Sequence, residues 1–120
     1  MASYFVQITG GPEQANTVTL ALLVAKTGVS EGHSVEVFFA ADGVHLLNCS
    51  EPGQIVGEGT GDAFDHIQDL KASNTKIFVS RLSAEGRGYD ERLLEGLNAS
   101  FATPKILLER SHAADVVLSY

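Results

Sequence analysis

Short apolar runs that alternate with longer segments rich in Ala and Leu constrain the fold of this chain more than any other feature. The second run is residues 34–40 (SVEVFFA), and Ala41 follows it, so residues 38–41 are four consecutive apolar residues. Continuous apolar character is typical of a strand that is covered on both faces, as in a parallel sheet. Strands that alternate with helices predict a mostly parallel sheet with helices on both of its faces. We therefore expect a single α/β domain over residues 1–120.

The predicted elements follow the order strand, helix, strand, short helix, loop, helix, strand, two helices and strand. The four strands are predicted at residues 4–8, 34–40, 76–80 and 115–120. The helices are predicted at residues 13–30, 44–47, 63–72, from about 90 onwards, and at 104–112. Asp62 and Thr103 are suitable N-caps for two of these helices. The helix from residue 90 is expected to bury Leu93, Leu94 and Leu97.

The first predicted helix, residues 13–30, is apolar around more of its circumference than a surface helix requires. An amphipathic surface helix carries a single apolar stripe. We therefore expect this helix to be buried on two sides, by the sheet and by a neighbouring subunit. The chain is predicted to form a homo-oligomer with an apolar interface.

Composition excludes several classes of partner. The net charge is −7 and the isoelectric point is about 4.9, whereas binding to nucleic acid or to anionic membranes requires clustered Lys and Arg. No apolar run reaches the roughly 18 residues of a membrane span, and the N-terminus predicts a strand rather than a secretory signal. The single cysteine, Cys49, excludes an internal disulfide, and the four histidines are scattered. We expect a cytoplasmic protein with no metal ion and no cofactor.

Residues 48–62 (NCSEPGQIVGEGTGD) form a predicted loop that contains four glycines. Glycine-rich loops hold phosphate groups in some proteins, but the spacing here does not match a dinucleotide-binding motif, and the loop carries no lysine. We therefore favour a flexible loop or an interface arm over a phosphate site.

Four segments, in this order, resemble the DsrE/DsrF-like proteins, which are also called the YchN-like group. They are the first strand with residues 9–28 (TGGPEQANTVTLALLVAKTG), residues 32–47 (GHSVEVFFAADGVHLL), residues 77–88 (IFVSRLSAEGRG) and residues 114–120 (ADVVLSY). The resemblance implies a three-layer α/β/α sandwich, DsrEFH-like, with a mostly parallel sheet of five strands or fewer. It also implies assembly into trimers or hexamers.

The resemblance places the family's reactive position at Ser80. The best-known members relay sulfur as a persulfide on a cysteine at the end of the third strand, and a serine stands there in this chain. A serine hydroxyl cannot carry a persulfide, and it becomes a nucleophile only where a base takes its proton. A Ser-His-acid triad at Ser80 is an open alternative that nothing in the sequence supports. We therefore expect a divergent member without sulfur relay that is not an enzyme.

The surroundings of Ser80 predict an anion-binding site. Its predicted ligand-binding residues are Ser80, Arg81, Ser83, Arg87, Gly88, Asp42 and Gly43. Backbone N–H groups of a turn at residues 83–88, with Arg81 or Arg87, would hold a carboxylate, a phosphate or a sulfur oxyanion.

Two of these side chains have other interpretations. Arg87 would instead pair with Glu85, Asp90 or Glu91, or with another subunit, and we favour pairing slightly over ligand binding. Asp42 would either face the pocket or cap the short helix from residue 44, and we favour the cap.

Cys49 is the alternative site for sulfur chemistry. It lies in a loop after the second strand, and such a loop would be able to bring it near Ser80. Free cysteines are commonly buried as small apolar residues, and no basic residue is close in sequence to lower the pKa of the thiol. We predict a DsrE-like protein of uncharacterised role that binds a small molecule or anion, or acts as a non-catalytic subunit of a homo-oligomer. A persulfide carrier that uses Cys49 is the alternative.

Overall fold

A computed structural model describes all residues of the chain, 1–120. Five parallel strands form the central sheet: β1 (Ser3–Ile8), β2 (Ser34–Phe39), β5 (Lys76–Ser80), β6 (Ala99–Ala102) and β7 (Val116–Ser119), in the spatial order β6-β5-β2-β1-β7. Two short strands, β3 (Val56–Gly57) and β4 (Gly61–Asp62), form an antiparallel hairpin. The helices are α1 (Ala15–Ser30), α2 (Ala63–Ala72), α3 (Arg81–Gly86) and α4 (Pro104–Ala113). Short 3-10 helices lie at Pro12–Gln14, Ala41–Asn48 and Glu91–Leu94.

The sheet is flanked by helices on both faces. Alternate side chains of each strand lie on opposite faces. On the first face, Val6, Val37 and Ile77 pack with α1 and α2. On the second face, Phe5 and Phe38 pack with α4. The predicted α/β fold with a mostly parallel sheet is therefore confirmed.

The helix predicted from residue 90 is wrong. The chain forms one 3-10 turn at Glu91–Leu94 and then strand β6, which pairs in parallel with β5. Gly96 adopts a left-handed backbone with a φ of 80°, and this conformation ends a helix. The leucines that were expected to be buried, Leu93, Leu94 and Leu97, are half-buried against the core without a helix between them.

α1 is covered on a second side by elements of the same chain. Lys26 Nζ lies 2.7 Å from Asp69 Oδ2 of α2, and Thr19 Oγ1 lies 2.6 Å from Thr60 Oγ1 in the hairpin. Part of the burial that was expected from a neighbouring subunit is therefore supplied within the chain. Leu20 of α1 still leaves 41% of its surface exposed. No helix here combines the length and the apolar composition of a membrane span.

The predicted loop at residues 48–62 contains the β3–β4 hairpin and is fastened to α1. The N–H of Glu58 donates to Asn16 Oδ1 at 2.8 Å, and the N–H of Gly53 donates to Asp62 Oδ2 at 2.6 Å. Asp62 also caps α2, as predicted, by accepting a backbone N–H. Side chains of the chain itself thus occupy amide groups that a phosphate cradle would need.

The 3-10 helix at Ala41–Asn48 requires a glycine where it passes the end of β1. A Cβ atom at Gly43 would overlap the carbonyl oxygen of Ile8, which is backbone and is fixed in the sheet. We expect Gly43→Ala to lower the free energy of unfolding by about 1–3 kcal/mol, the usual cost of overpacking. Urea denaturation followed by circular dichroism measures this change.

Gly86→Ala is the matched control, because a Cβ atom there meets nothing within 4 Å and alanine is favoured in a helix. This variant should keep its stability or gain up to about 1 kcal/mol. Equal losses in the two variants would contradict the role given to the contact between Gly43 and Ile8.

Candidate functional site

The carboxyl ends of β2 and β5 lie side by side and deliver the candidate residues to one edge of the sheet. β2 leads into the 3-10 helix at Ala41–Asn48, and β5 ends at Ser80, directly before α3. Ligand sites of parallel sheets gather at such carboxyl ends. The turn predicted at residues 83–88 is wrong for residues 83–86, which belong to the helix that follows Ser80, whereas residues 87–88 do form a turn after that helix.

The hydroxyl groups of Ser80 and Ser83 bind backbone amides. Ser80 Oγ accepts a hydrogen bond from the N–H of Ser83 at 3.1 Å and thereby caps α3. Ser83 Oγ accepts one from the N–H of Ala41 at 2.9 Å, which joins α3 to the 3-10 helix after β2. Neither hydroxyl bonds to a histidine. Ser80 therefore lacks the base that a nucleophilic serine requires.

Arg87 is held by Asp42 and by the backbone of α3. Its Nε and Nη2 donate to Asp42 Oδ1 at 3.2 and 3.0 Å, and its Nη1 donates to the carbonyl oxygen of Ser83 at 3.1 Å. The Arg87 side chain remains 31% exposed and that of Asp42 56%. This bridge ties the segment after β5 to the segment after β2.

Two expectations about these side chains are corrected. Arg87 does pair with a carboxylate, but Glu85, Asp90 and Glu91 are not its partners. Asp42 does not cap the 3-10 helix, which begins without a side-chain cap. Asp42 is the second residue of this helix rather than its N-cap residue, which is Ala40, and its carboxylate accepts hydrogen bonds from Arg87 instead.

Arg81 and Arg87 are drawn to opposite sides of Ser80. The guanidinium of Arg81 lies over the ring of Phe101 in β6, 4.8 Å from its centroid. Arg87 bonds to Asp42, which follows β2, and β6 and β2 flank β5 on opposite sides. The two guanidinium groups therefore lie apart. The predicted residues that the structure does bring together are Ser80, Ser83, Asp42 and Arg87.

The backbone at this edge includes one glycine turn and one strained residue. Gly88 follows α3 with a φ of 82°, in the region that favours glycine. Ala41 has a φ of 50° although it carries a Cβ atom, at a cost of roughly 1–2 kcal/mol. The bond from its N–H to Ser83 Oγ helps to hold this conformation.

An open cleft lies beside this group, and we call it the Tyr89 cleft. It consists of two hollows of about 300 and 440 Å³ that share Asn48 and Tyr89. The first hollow is lined by Pro12, His45, Asn48, Cys49, Gln54, Ile55 and Tyr89. The second is lined by Leu47, Asn48, Gly88, Tyr89, Asp90, Arg92, Leu93 and Glu95. The cleft thus joins the 3-10 helix after β2 to the residues that follow α3.

His45 and Tyr89 form a hydrogen-bonded pair in this cleft. His45 Nδ1 lies 2.6 Å from the Tyr89 hydroxyl, and the two rings meet edge to face. The sequence did not single out this pair, because its members are 44 positions apart. The one available signal was the position of Tyr89, directly after Gly88 in the segment that follows β5.

Cys49 lines the Tyr89 cleft, whereas Ser80 lines neither of its hollows. The half-buried thiol donates to the carbonyl oxygen of Glu51 at 3.5 Å. Burial raises the pKa of the Cys49 thiol, and the carboxylates of Asp62 and Glu51 add to this rise against the lowering effect of the hydrogen bond. A raised pKa leaves less thiolate, the reactive form, at neutral pH. No group of three or more His, Cys, Asp or Glu side chains is placed to hold a metal ion.

Comparison with known proteins gives one family. The model of the DsrE/DsrF-like family matches residues 2–120. Among solved structures, the chain is similar to the ychN protein from E. coli, with a TM-score of 0.77 and 20% sequence identity over 100% of both chains. At this identity the likeness concerns the fold alone. No functionally curated protein matches the chain. Because the family match spans nearly the whole sequence, the chain belongs to the DsrE/DsrF-like family.

Proposed function

We propose that this protein is a non-catalytic DsrE-like subunit that binds a small anionic molecule at the carboxyl edge of its sheet and works within a homo-oligomer. Membership of the family supports a role related to sulfur relay. The observation that carries the proposal is the Tyr89 cleft, which lies between the 3-10 helix after β2 and the residues after α3 and is lined by Gly88, the residue after Arg87.

The chemistry of Ser80 supports binding rather than catalysis. The resemblance places a thiol at this position in the sulfur-relay proteins, and serine has none. Its oxygen already accepts the amide of Ser83, and no histidine is bonded to it. The segments on either side of Ser80 are nevertheless held together, since Arg87 bonds to Asp42 and Gly43 packs closely against the end of β1. The carboxyl edge of the sheet around Ser80 is therefore suited to binding, but it lacks a reactive side-chain atom.

Arg87 supports an anionic ligand. Three of the five N–H donors of its guanidinium bond to Asp42 and Ser83, so two remain available. Asp42 also fixes the side chain, which reduces the entropy that a ligand would lose on ordering it. A carboxylate, a phosphate or a sulfur oxyanion accepts such N–H groups in charge-assisted bonds. Arg92, in the wall of the cleft, carries a second guanidinium, but its Nε and Nη2 already donate to Asp90 at 3.2 and 3.0 Å, so Arg87 carries the argument for an anion.

The predicted site residues take separate parts in this proposal. Ser80, Ser83, Asp42 and Gly43 form the frame, and Arg87 and Gly88 contact the ligand. Arg81 places a further guanidinium on the side of β6, where Glu85 lies 3.9 Å from it. The neutral polar groups of the cleft would bind the uncharged part of the ligand.

Exposed apolar side chains support self-association. Leu20, Leu82 and Leu108 expose 41, 68 and 70% of their surfaces. They lie on α1, α3 and α4, so the apolar contacts that they offer to another chain are spread over three elements. The resemblance to the family implies a trimer or a hexamer.

Sulfur carriage on Cys49 is the alternative function. Its support is the position of the thiol in the Tyr89 cleft, in the same hollow as His45. The raised pKa of Cys49 argues against it, because a thiol must lose its proton before it attacks a sulfur donor.

We expect Arg87→Gln to weaken the binding of a small anion at least tenfold. A hydrogen bond to a charged group contributes about 1.5–3 kcal/mol, and 1.4 kcal/mol corresponds to a factor of about ten. Thiosulfate, sulfite, phosphate and acetate are the probes, titrated at constant ionic strength into ¹⁵N-labelled protein. The amide signals of Gly88 and Tyr89 should shift on binding to the wild type.

Lys26→Gln is the matched control, because it removes one positive charge from α1, where the side chain pairs with Asp69 of α2 and lines neither hollow of the Tyr89 cleft. Binding should be unchanged in this variant. An equal loss of affinity in both variants would mean that only net charge matters. If none of the four anions shifts an amide signal of the wild type, anion binding is contradicted.

We expect Cys49 to be alkylated by iodoacetamide more slowly than free cysteine at neutral pH, with the rate still rising above pH 9.0, the ordinary pKa of the thiol. Glu51→Gln should speed the reaction at a fixed pH, because it removes a negative charge that raises the pKa of Cys49. Glu58→Gln, an exposed change in the same loop, should not. Equal rates in the two variants would contradict the electrostatic explanation.

Persulfide loading separates the two candidate functions. The protein is incubated with a persulfide donor at neutral pH, and its intact mass is compared with that of Cys49→Ser. We expect no stable gain of sulfur, because little thiolate is present. A gain of one sulfur atom that disappears in Cys49→Ser would establish the alternative.

A further inference from the structure

His66 is a buried titratable side chain that the anion site does not use. It lies on α2 and leaves only 5% of its surface exposed. Its Nε2 atom lies 2.7 Å from the carbonyl oxygen of Thr60, in the turn of the β3–β4 hairpin. A carbonyl oxygen only accepts hydrogen bonds, so Nε2 carries the proton of the neutral ring. His66 therefore donates a hydrogen bond that joins α2 to the hairpin.

The other ring nitrogen of His66 has no partner. Nδ1 is buried and takes part in no hydrogen bond. With the proton on Nε2, Nδ1 is the bare nitrogen of the neutral ring. Protonation would place a second N–H and a positive charge at this buried position, and a buried charge without a partner is unfavourable. The docked hairpin therefore favours the neutral form of His66.

The elements packed against His66 offer this positive charge no close partner. These elements are α1 and the hairpin, beside α2 itself. Their charged side chains, none of which bonds to Nδ1, are Lys26, Glu58, Asp62, Asp65, Asp69 and Lys71. Asp69 pairs with Lys26, and Asp62 accepts two backbone N–H groups. The remaining carboxylates, Glu58 and Asp65, are exposed to solvent.

The β3–β4 hairpin is small and is docked at few points. Each of its strands has two residues. Beyond the bond to His66, it is held on α1 by the hydroxyl pair of Thr19 and Thr60 and by the bond from the N–H of Glu58 to Asn16. A Cβ atom at Gly61 would lie 2.8 Å from His66 Nε2, so the ring packs directly against the hairpin backbone. Such a unit is able to open locally while the core stays folded.

We propose that His66 is an acid-sensitive latch, which holds the β3–β4 hairpin on α1 and α2 at neutral pH and releases it when the ring is protonated. Histidine ordinarily changes its charge between about pH 5 and pH 8. The docked hairpin requires the neutral ring, whereas release exposes the ring to water and allows it to take up a proton. Docking is therefore complete above this range and is lost as the pH falls through it.

Release of the hairpin would change one wall of the Tyr89 cleft. Gln54 and Ile55 line the first hollow of the cleft and stand directly before β3. The carbonyl oxygen of Ile55 also accepts the N–H of Ala63, the first residue of α2, at 2.9 Å. The position of this wall thus depends on how the hairpin is docked. The effect on ligand binding rests on the proposed function, whereas the latch itself does not.

Amide hydrogen exchange at two pH values tests the latch. The reporter is the N–H of Glu58, which bonds to Asn16 of α1 only in the docked hairpin. Its protection factor, taken against the intrinsic exchange rate at each pH, should fall about tenfold between about pH 7.5 and about pH 5.5, because release takes up one proton. The N–H of Ile77, which bonds to Asn98 within the sheet, should keep its protection. Equal losses at Glu58 and Ile77 would indicate global unfolding and would overturn the proposal.

His66→Gln separates the latch from other effects of acid. The amide of glutamine is able to donate to Thr60 but does not titrate, so the protection of Glu58 should no longer depend on pH. His112→Gln is the matched control, because it removes an exposed histidine on α4, and it should respond as the wild type does. A fall in His66→Gln as large as in the wild type would contradict the latch, and so would a wild type that is equally protected at both pH values.

The ¹⁵N signals of the imidazole ring give a second measurement that needs no variant. The wild type should carry its proton on Nε2 at neutral pH and should gain the second proton only as Glu58 loses protection. A doubly protonated His66 beneath a protected Glu58 would overturn the proposal.

Thiosulfate titration tests the effect of the latch on the Tyr89 cleft. Its affinity should be lower at about pH 5.5 than at about pH 7.5 in the wild type, the range over which histidine changes its charge, and equal at both in His66→Gln. An affinity that stays constant while the hairpin is released would disprove the coupling to the cleft. If thiosulfate does not bind even at the higher pH, the proposed function is contradicted, whereas a latch established by exchange stands.

Discussion

The position of β1 between β2 and β7 is the constraint on which the rest of the structure depends. β1 pairs in parallel with both neighbours, and Phe5 and Ile8 have no exposed surface. All three layers meet on it, because Ile8 belongs to the core beneath α1 while Phe5 belongs to the cluster beneath α4. The carbonyl oxygen of Ile8 also accepts the N–H of Ala40 at 3.1 Å, which fixes where the chain turns after β2. The end of β1 therefore determines where the candidate site lies.

Two kinds of polar group meet at the carboxyl edge, and they differ in how many of their hydrogen bonds are already made within the chain. Ser80, Ser83, Asp42 and Arg87 are joined to one another or to backbone, so they stabilise the arrangement of the two segments. The Tyr89 cleft holds groups with spare capacity, such as the second ring nitrogen of His45. The residues that directly follow the strands were therefore a poor guide to the Tyr89 cleft, because their side chains hold the turns of the chain itself in place.

Local patterns made much of the fold predictable from the sequence. The continuous apolar end of β2 and the N-cap at Asp62 each depend on neighbours within a few positions, and both agree with the structure. β6 was missed because its four residues, ASFA, show no clear alternation and become a strand through pairing with β5. The bond between Arg87 and Asp42 joins residues 45 positions apart, so no local pattern reports it. The left-handed backbone of Ala41 was equally hidden, since alanine does not signal that conformation.

The cap that Ser80 provides for α3 has a consequence for how this chain is able to change over evolutionary time. The cap requires only an atom that accepts a hydrogen bond from the amide of Ser83, and sulfur also accepts such bonds, although weakly. The support for the segment after β5 comes mainly from Ser83, Asp42 and Arg87, none of which supplies a reactive atom. One substitution at position 80 therefore changes the reactivity of the edge while the scaffold remains in place. Gain and loss of chemistry at this position are open to single-residue steps that do not require the protein to refold.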